Sequence, residues 1–178
     1  MNYQDIISNV NVYGLQESIV ASGYPMLTEP YNYSEFINAC KDIIVNGDDS
    51  SHIKRSRKLA DTNVGEGHDN YLNGIVVQFD LKFTVKAWTE AERYHFFDFV
   101  SSMSSMHQLT NMDFDSVFCS YVTDNTKNEM KHLLAEYNAN PCKKSKLTLI
   151  YNCPTGLQLT ARMTTNYRQL KTIYKQRR

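Results

Sequence analysis

The side chains able to do metal, nucleophilic or acid–base chemistry are few and scattered. The chain of 178 residues holds five histidines and four cysteines. His95, His107 and His132 are the histidines that could share a metal ion. His95 and His107 stand twelve residues apart, more than three turns of any common helix, so they could be joint ligands only if a helix ended between them. Cys142 and Cys153 with a histidine would make a zinc site, but their spacing is unlike the usual ligand pairs. Cys40, Cys119, Cys142 and Cys153 form no CxxC pair and are expected as free thiols. None stands in a nucleophile elbow or beside a glycine-rich turn. GEGHDN, Gly65 to Asn70, has a GxG but no following helix and no GxxxxGK, and reads as a loop rather than a phosphate cradle. These residues predict no catalytic group, no metal and no cofactor.

Two basic edges remain. SHIKRSRK supplies Lys54, Arg55, Arg57 and Lys58, and the C-terminal run supplies Lys171, Lys175, Arg177 and Arg178. Such clusters can hold nucleic-acid phosphates or an acidic partner; a solvated surface is the plain alternative. Lys+Arg and Asp+Glu balance at 19 each. That balance argues against a histone-like DNA coat and against an acidic DNA mimic. Zero net charge gives little mutual repulsion. With twelve tyrosines, including Tyr167 and Tyr174 seven apart on one helical face, it leads us to expect a homodimer. MNYQDIISNV has neither a basic start nor an apolar run, and no stretch is long enough to span a bilayer, so a cytosolic location is expected.

Apolar residues at 42% and charged residues at 21% predict a globular chain, and the length favours one domain over 1–178. ESIVASGYPM, Glu17 to Met26, reads as a short strand ending in a turn. YSEFINACKDIIVN, Tyr33 to Asn46, reads as a helix with Ser34 as candidate N-cap and Phe36, Ile37, Cys40, Ile43 and Ile44 on one face. Ser51 to Gly74 is polar and turn-rich. IVVQFDLKFTV, Ile75 to Val85, alternates strictly and predicts a strand. Thr89 with Glu92 has capping-box spacing, so a helix is expected from Glu90 carrying Tyr94 and Phe97. Thr126 to Asn138 predicts a helix, Lys146 to Asn152 a strand or helical turn, Gly156 to Asn166 a second central strand, and the basic end a terminal helix. The expected class is α+β, a mainly antiparallel sheet packed with helices.

The last third carries the most specific pattern. PTGLQLTARMTTN places Pro154 at a strand entrance and Asn166 at its end, and the helix beyond shows Leu170, Ile173 and Arg177. This resembles the flavin-dependent thymidylate synthase family, where a proline, a strand, an asparagine and a helix with a downstream arginine recur at like spacing. The resemblance implies a thymidylate-synthase-complementing-like fold and a flavin and nucleotide pocket lined by Arg93, Asn166 and Arg177. In FTVKAWTEAERYHFFDFVSS the family's arginine-histidine-arginine signature is replaced by Phe97, Asp98 and Phe99, followed by Ser102, Met103, Ser104 and Ser105. Phosphate recognition needs fixed positive forks, so this departure implies loss of that enzyme activity. At whole-chain level, VASGYPM, the stretch from Gly74 to His107 and the C-terminal third resemble small phage and mobile-element proteins associated with anti-CRISPR inhibition of type II Cas9. That resemblance implies a non-enzymatic protein binding a Cas9-type nuclease or its guide RNA complex, with the basic edges on nucleic acid.

Overall fold

The computed structural model describes residues 5–63 and 65–177. In chain order the elements are β1 (Ile7–Tyr13), α1 (Leu15–Ala21), α2 (Tyr33–Asn46), α3 (Ser51–Ala60), β2 (Val76–Thr84), α4 (Val85–Ala91), β3 (Asp98–Ser102), α5 (Ser105–Gln108), α6 (Asp124–Ala139), α7 (Lys143–Tyr151), β4 (Gln158–Asn166) and α8 (Tyr167–Arg177). The four strands form one antiparallel sheet in the order β1-β2-β4-β3, so the class is α+β. Two backbone bonds bracket the central pair and fix its register. The Val85 amide donates to the Leu157 carbonyl at 2.9 Å, and the Tyr167 amide donates to the Ile75 carbonyl at 3.1 Å. Alternation then buries Val77, Phe79 and Leu81 of β2 and Ala161, Met163 and Thr165 of β4.

The chain forms two compact units. One takes the chain up to Asn9, Phe79–Tyr94 and Asp98–Met163; the other takes Val10–Gln78, His95–Phe97 and Thr164 onward. The first has a core of Leu109, Phe114, Phe118, Met130, Leu133, Leu149 and Leu157. The second is centred on Ile19, Val20, Cys40 and Ile43, with Leu15, Tyr31, Phe36, Ile53 and Tyr71 packed against them.

Several elements differ from expectation, for local reasons. Glu17 to Met26 is not a strand: Leu15–Ala21 is helix α1, entered through Gly14 at φ 68°. Ile19 and Val20 favour strands by propensity, but burying them beside Cys40 and Ile43 outweighs that preference. α2 has the expected bounds, yet its N-cap is Asn32, whose Oδ1 accepts from the Glu35 amide while Glu35 returns a bond to the Asn32 amide. Ser51–Ala60, within the stretch read as polar and turn-rich, is helix α3; the Ser50 hydroxyl accepts from the His52 amide, and a mostly basic helix hides its one packed stripe from a hydropathy pattern. The helix expected from Glu90 starts earlier. Thr84 caps it by accepting from the Ala87 amide at 3.1 Å, and α4 ends at Ala91. Phe96 then takes φ 57°, and Asp98–Ser102 becomes strand β3 instead of continuing as helix.

Candidate functional site

In the second unit, polar chemistry converges on the first turns of α8. Asn166 ends β4, and its Oδ1 accepts from the Gln169 amide at 2.8 Å, capping the helix. Arg168 and Lys171 follow three residues apart, on one helical face. Both meet Asp69, which is fully buried just before the single-turn 3-10 helix Asn70–Gly74. The Lys171 ammonium donates to Asp69 Oδ2 at 2.7 Å and to the Thr62 carbonyl at 2.7 Å. It thereby clips together both ends of the segment carrying Gly65 and Gly67, at φ 100° and 82°.

Arg168 Nε stands 3.2 Å from Asp69 Oδ1, close enough for charge attraction but not aligned for a hydrogen bond. Asp69 Oδ1 is thus a buried acceptor without a hydrogen-bond partner among the described residues, as is the Thr165 hydroxyl. Burial works to raise the Asp69 carboxyl; the Lys171 hydrogen bond and charge and the Arg168 charge outweigh it and hold the group below its usual range. Only Nε of Arg168 is engaged. Its terminal guanidinium nitrogens have no partner among the described residues, and the side chain is 31% exposed. A guanidinium fork at the positive end of an eleven-residue helix is suited to an anion, a phosphate or carboxylate above all.

The first unit offers different chemistry. Trp88 is buried, donates Nε1 to the Leu159 carbonyl at 3.3 Å, and packs between Phe83 and Phe99 with ring centres 5.2 and 4.9 Å away. An open pocket of about 560 Å3 is lined by Thr84, Lys86, Cys119, Tyr121, Thr155 and Gly156 among others. The Lys86 charge there is paired with Glu90 at 3.0 Å, and the Thr84 hydroxyl is spent on capping α4.

The residues singled out by sequence fall in diverse places. Lys54 pairs with Asp49 at 3.5 Å and Arg57 with Asp48, while Lys58 is exposed on α3. Arg55 turns inward: it donates to the Ser22 hydroxyl at 3.2 Å and to the Ile19 and Val20 carbonyls, closing the end of α1, and meets His52 Nδ1. Lys171 is half-buried on Asp69, Lys175 and Arg177 are exposed at the end of α8, and Arg178 lies outside the described residues. Asn166 and Arg177 stand at opposite ends of α8, eleven residues or about 16 Å of helix apart. Arg93 belongs to the first unit and pairs with Glu90 at 3.3 Å. All four cysteines are free. His132 faces Glu136, and among the described residues no group of three His, Cys, Asp or Glu side chains is placed to hold a metal ion. No helix among them is long and apolar enough to cross a membrane. Sequence reasoning passed over Arg168 and Asp69. The i, i+3 pair of Arg168 and Lys171 was visible, but their carboxylate partner lies about a hundred residues upstream.

No family model and no curated protein matches this chain. Solved structures do. A flavin-dependent thymidylate synthase ThyX from Helicobacter pylori, complexed with FAD and dUMP, matches with a TM-score of 0.65 and 14% identity, over 97% of this chain and 84% of that one. A second structure of ThyX from Helicobacter pylori, with FAD and dUMP, matches with a TM-score of 0.60 and 16% identity, over 95% and 83% of the two chains. At such identity the likeness establishes the fold. It also corrects two expectations, that the chain is not an enzyme and that it is a phage inhibitor of a Cas9-type nuclease. The fold matches that of a flavin-dependent thymidylate synthase along 97% of this chain. The inhibitor reading rested on likeness of segments and on the basic edges, of which Lys54 and Arg57 are paired with carboxylates and Arg55 is turned inward.

Proposed function

We propose that this chain is a variant flavin- or nucleotide-binding protein on the flavin-dependent thymidylate synthase fold, with Arg168 meeting a phosphate of the ligand. The observation that carries the reading is the match over 97% of the chain to a protein solved with FAD and dUMP. The start of α8 supports it independently: a capped helix, an arginine with open terminal nitrogens, and a buried carboxylate holding that arginine's inner face. Asn166 and Arg177, which the family resemblance assigns to the ligand, bound the same helix.

The fit is unequal along the chain. Phe97, Asp98 and Phe99 supply no cation where the family's signature stands, and the Asp98 carboxylate would repel a phosphate. Recognition of phosphate therefore falls on α8. A bound flavin would supply hydride transfer; the chain's own part is to bind and orient it.

Thermal denaturation and calorimetric titration with FAD and with dUMP test the reading. A specific ligand at a hundred times its Kd adds about 2.7 kcal/mol of stability, roughly 5–10 °C in Tm for a chain of this size. A shift of that order with either ligand is the expected result. No shift and no heat with both at millimolar concentration would overturn it.

A further inference from the structure

Resting on that reading, we propose that Asp69 is a positioning residue: its buried carboxylate, itself anchored by Lys171, holds Arg168 at the start of α8 so that the terminal guanidinium nitrogens are presented to the ligand's phosphate. Three observations carry this. Asp69 is fully buried, and a carboxylate is rarely kept in that state without a task for its charge. Its two oxygens are treated differently: Oδ2 is fixed by the Lys171 ammonium at 2.7 Å, whereas Oδ1 has only the Arg168 Nε at 3.2 Å and no aligned hydrogen bond. Arg168 in turn is engaged through Nε alone.

A structural salt bridge would be expected to use the guanidinium more fully, as a two-pronged pair with the carboxylate. Here Lys171 does the structural part, tying Asp69 and the Thr62 carbonyl to α8, and Arg168 is left oriented but unspent. The incomplete bond to Oδ1 leaves the guanidinium room to turn about Nε. When an anion engages the terminal nitrogens, that turn can bring Nε–H into line with Oδ1. Ligand binding would then satisfy the buried oxygen, and a buried acceptor gains most from the bond it lacks. Asp69 thus favours the liganded orientation of Arg168 without touching the ligand.

The test is a double-mutant cycle read in affinity and in Tm, with FAD and dUMP as probes. Asp69→Asn is expected to weaken the bound ligand about tenfold in the Arg168 background and less than about twofold in an Arg168→Met background, because the effect passes through the arginine. Equal weakening in both backgrounds, or none in the first, overturns the proposal. If Asp69→Asn does not fold, Arg168→Lys serves: the ammonium can still face Asp69 but lacks the fork, so Tm should hold while affinity falls about tenfold. Unchanged affinity overturns the proposal. A ligand-independent readout separates it from the reading it rests on. In the wild type without ligand the Arg168 Nε–H resonance in nitrogen-15 NMR should be broadened by exchange with water, since Nε–H has no aligned hydrogen bond, and should sharpen and exchange more slowly with pyrophosphate. If FAD and dUMP both fail to bind, the functional reading falls. An Arg168 signal already sharp and slowly exchanging without ligand, or one indifferent to pyrophosphate, would overturn the positioning role itself.

Discussion

Cysteine chemistry in this chain is decided residue by residue. Cys142 is exposed at the start of α7, where its sulfur accepts from the Ser145 amide. Hydrogen bonds from the Ser145 side chain and backbone, with the nearby Lys144 charge, hold its thiol below the usual range. Burial pushes Cys153 up to about 11 and raises Cys40 as well. Because the thiolate is the nucleophile, limiting iodoacetamide at pH near 7.5 should alkylate Cys142 first, with Cys40 and Cys153 following only on unfolding. Peptide mass spectrometry reads the order; equal early labelling of Cys153 would contradict it. His52 is a second local case. Burial first and then the Arg55 charge lower its pKa below 6.5, with Asp42 opposing in part. Its native value lies below its unfolded value, so as pH falls below about 6.5 the unfolded chain takes up the proton first. Stability contributed by neutral His52 is full above that pH and is lost downward through the window. His52→Gln, which keeps an acceptor for Arg55, should flatten that part of the Tm–pH curve between pH 7 and 5. An unchanged slope would count against it.

At the scale of elements, two glycines separate backbone strain from crowding. Gly14, between β1 and α1, has φ 68°, and a Cβ there would lie 2.6 Å from the Gly74 carbonyl oxygen. Gly47, after α2, also has positive φ, at 49°, but a Cβ there would meet nothing within 4 Å. Gly47 has ψ −126°, outside the left-handed helical well, so alanine there should cost about 1–3 kcal/mol from conformation alone. Gly14 lies in that well, so Gly14→Ala should cost about 1 kcal/mol from conformation and about 1–3 kcal/mol more from a backbone clash that no side-chain rotation relieves. Urea unfolding of the two variants measures each cost; only about 1 kcal/mol for Gly14→Ala would mean that the approach of residues 14 and 74 relaxes freely.

At the scale of the whole molecule, the fold matches that of ThyX structures at 14% identity, although the stretch where the resemblance expects phosphate-binding arginines carries Phe97, Asp98 and Phe99. A sheet and its helices are held by dispersed apolar burial, so β3 and the residue before it can carry Phe97, Asp98 and Phe99 in place of cations without disturbing the architecture. Both edge strands of the sheet are exposed along their length. β1 shows Ile7, Val10 and Val12, β3 shows Phe99 and Val100, and β1 carries no charged side chain to guard its edge. With zero net charge, these edges favour self-association, and we propose a homodimer. Sedimentation equilibrium at tens of micromolar should give twice the mass of 20.6 kDa, with β1 edge substitutions by lysine lowering it. A monomer at every concentration would remove the proposal.

The amino-acid order alone determined the elements with strong period and clean ends. β2 and β4 announce themselves by alternation, α2 and α6 by helical spacing, and together these made the α+β class and the thymidylate-synthase-like strand-asparagine-helix unit legible. Tertiary structure decided the rest. α1 and α3 are helices because their few apolar residues find one small core, which a linear pattern cannot weigh against strand propensity or a run of basic residues. It turned Arg55 from a surface cation into a cap for α1. It also made Asp69 the centre of the candidate site, since a carboxylate in a polar glycine-rich stretch is unremarkable until folding buries it against Arg168 and Lys171. Local sequence encodes backbone period; the pairing of charges across a hundred residues, and the burial that gives such a pair its strength, exists only after the chain has closed on itself.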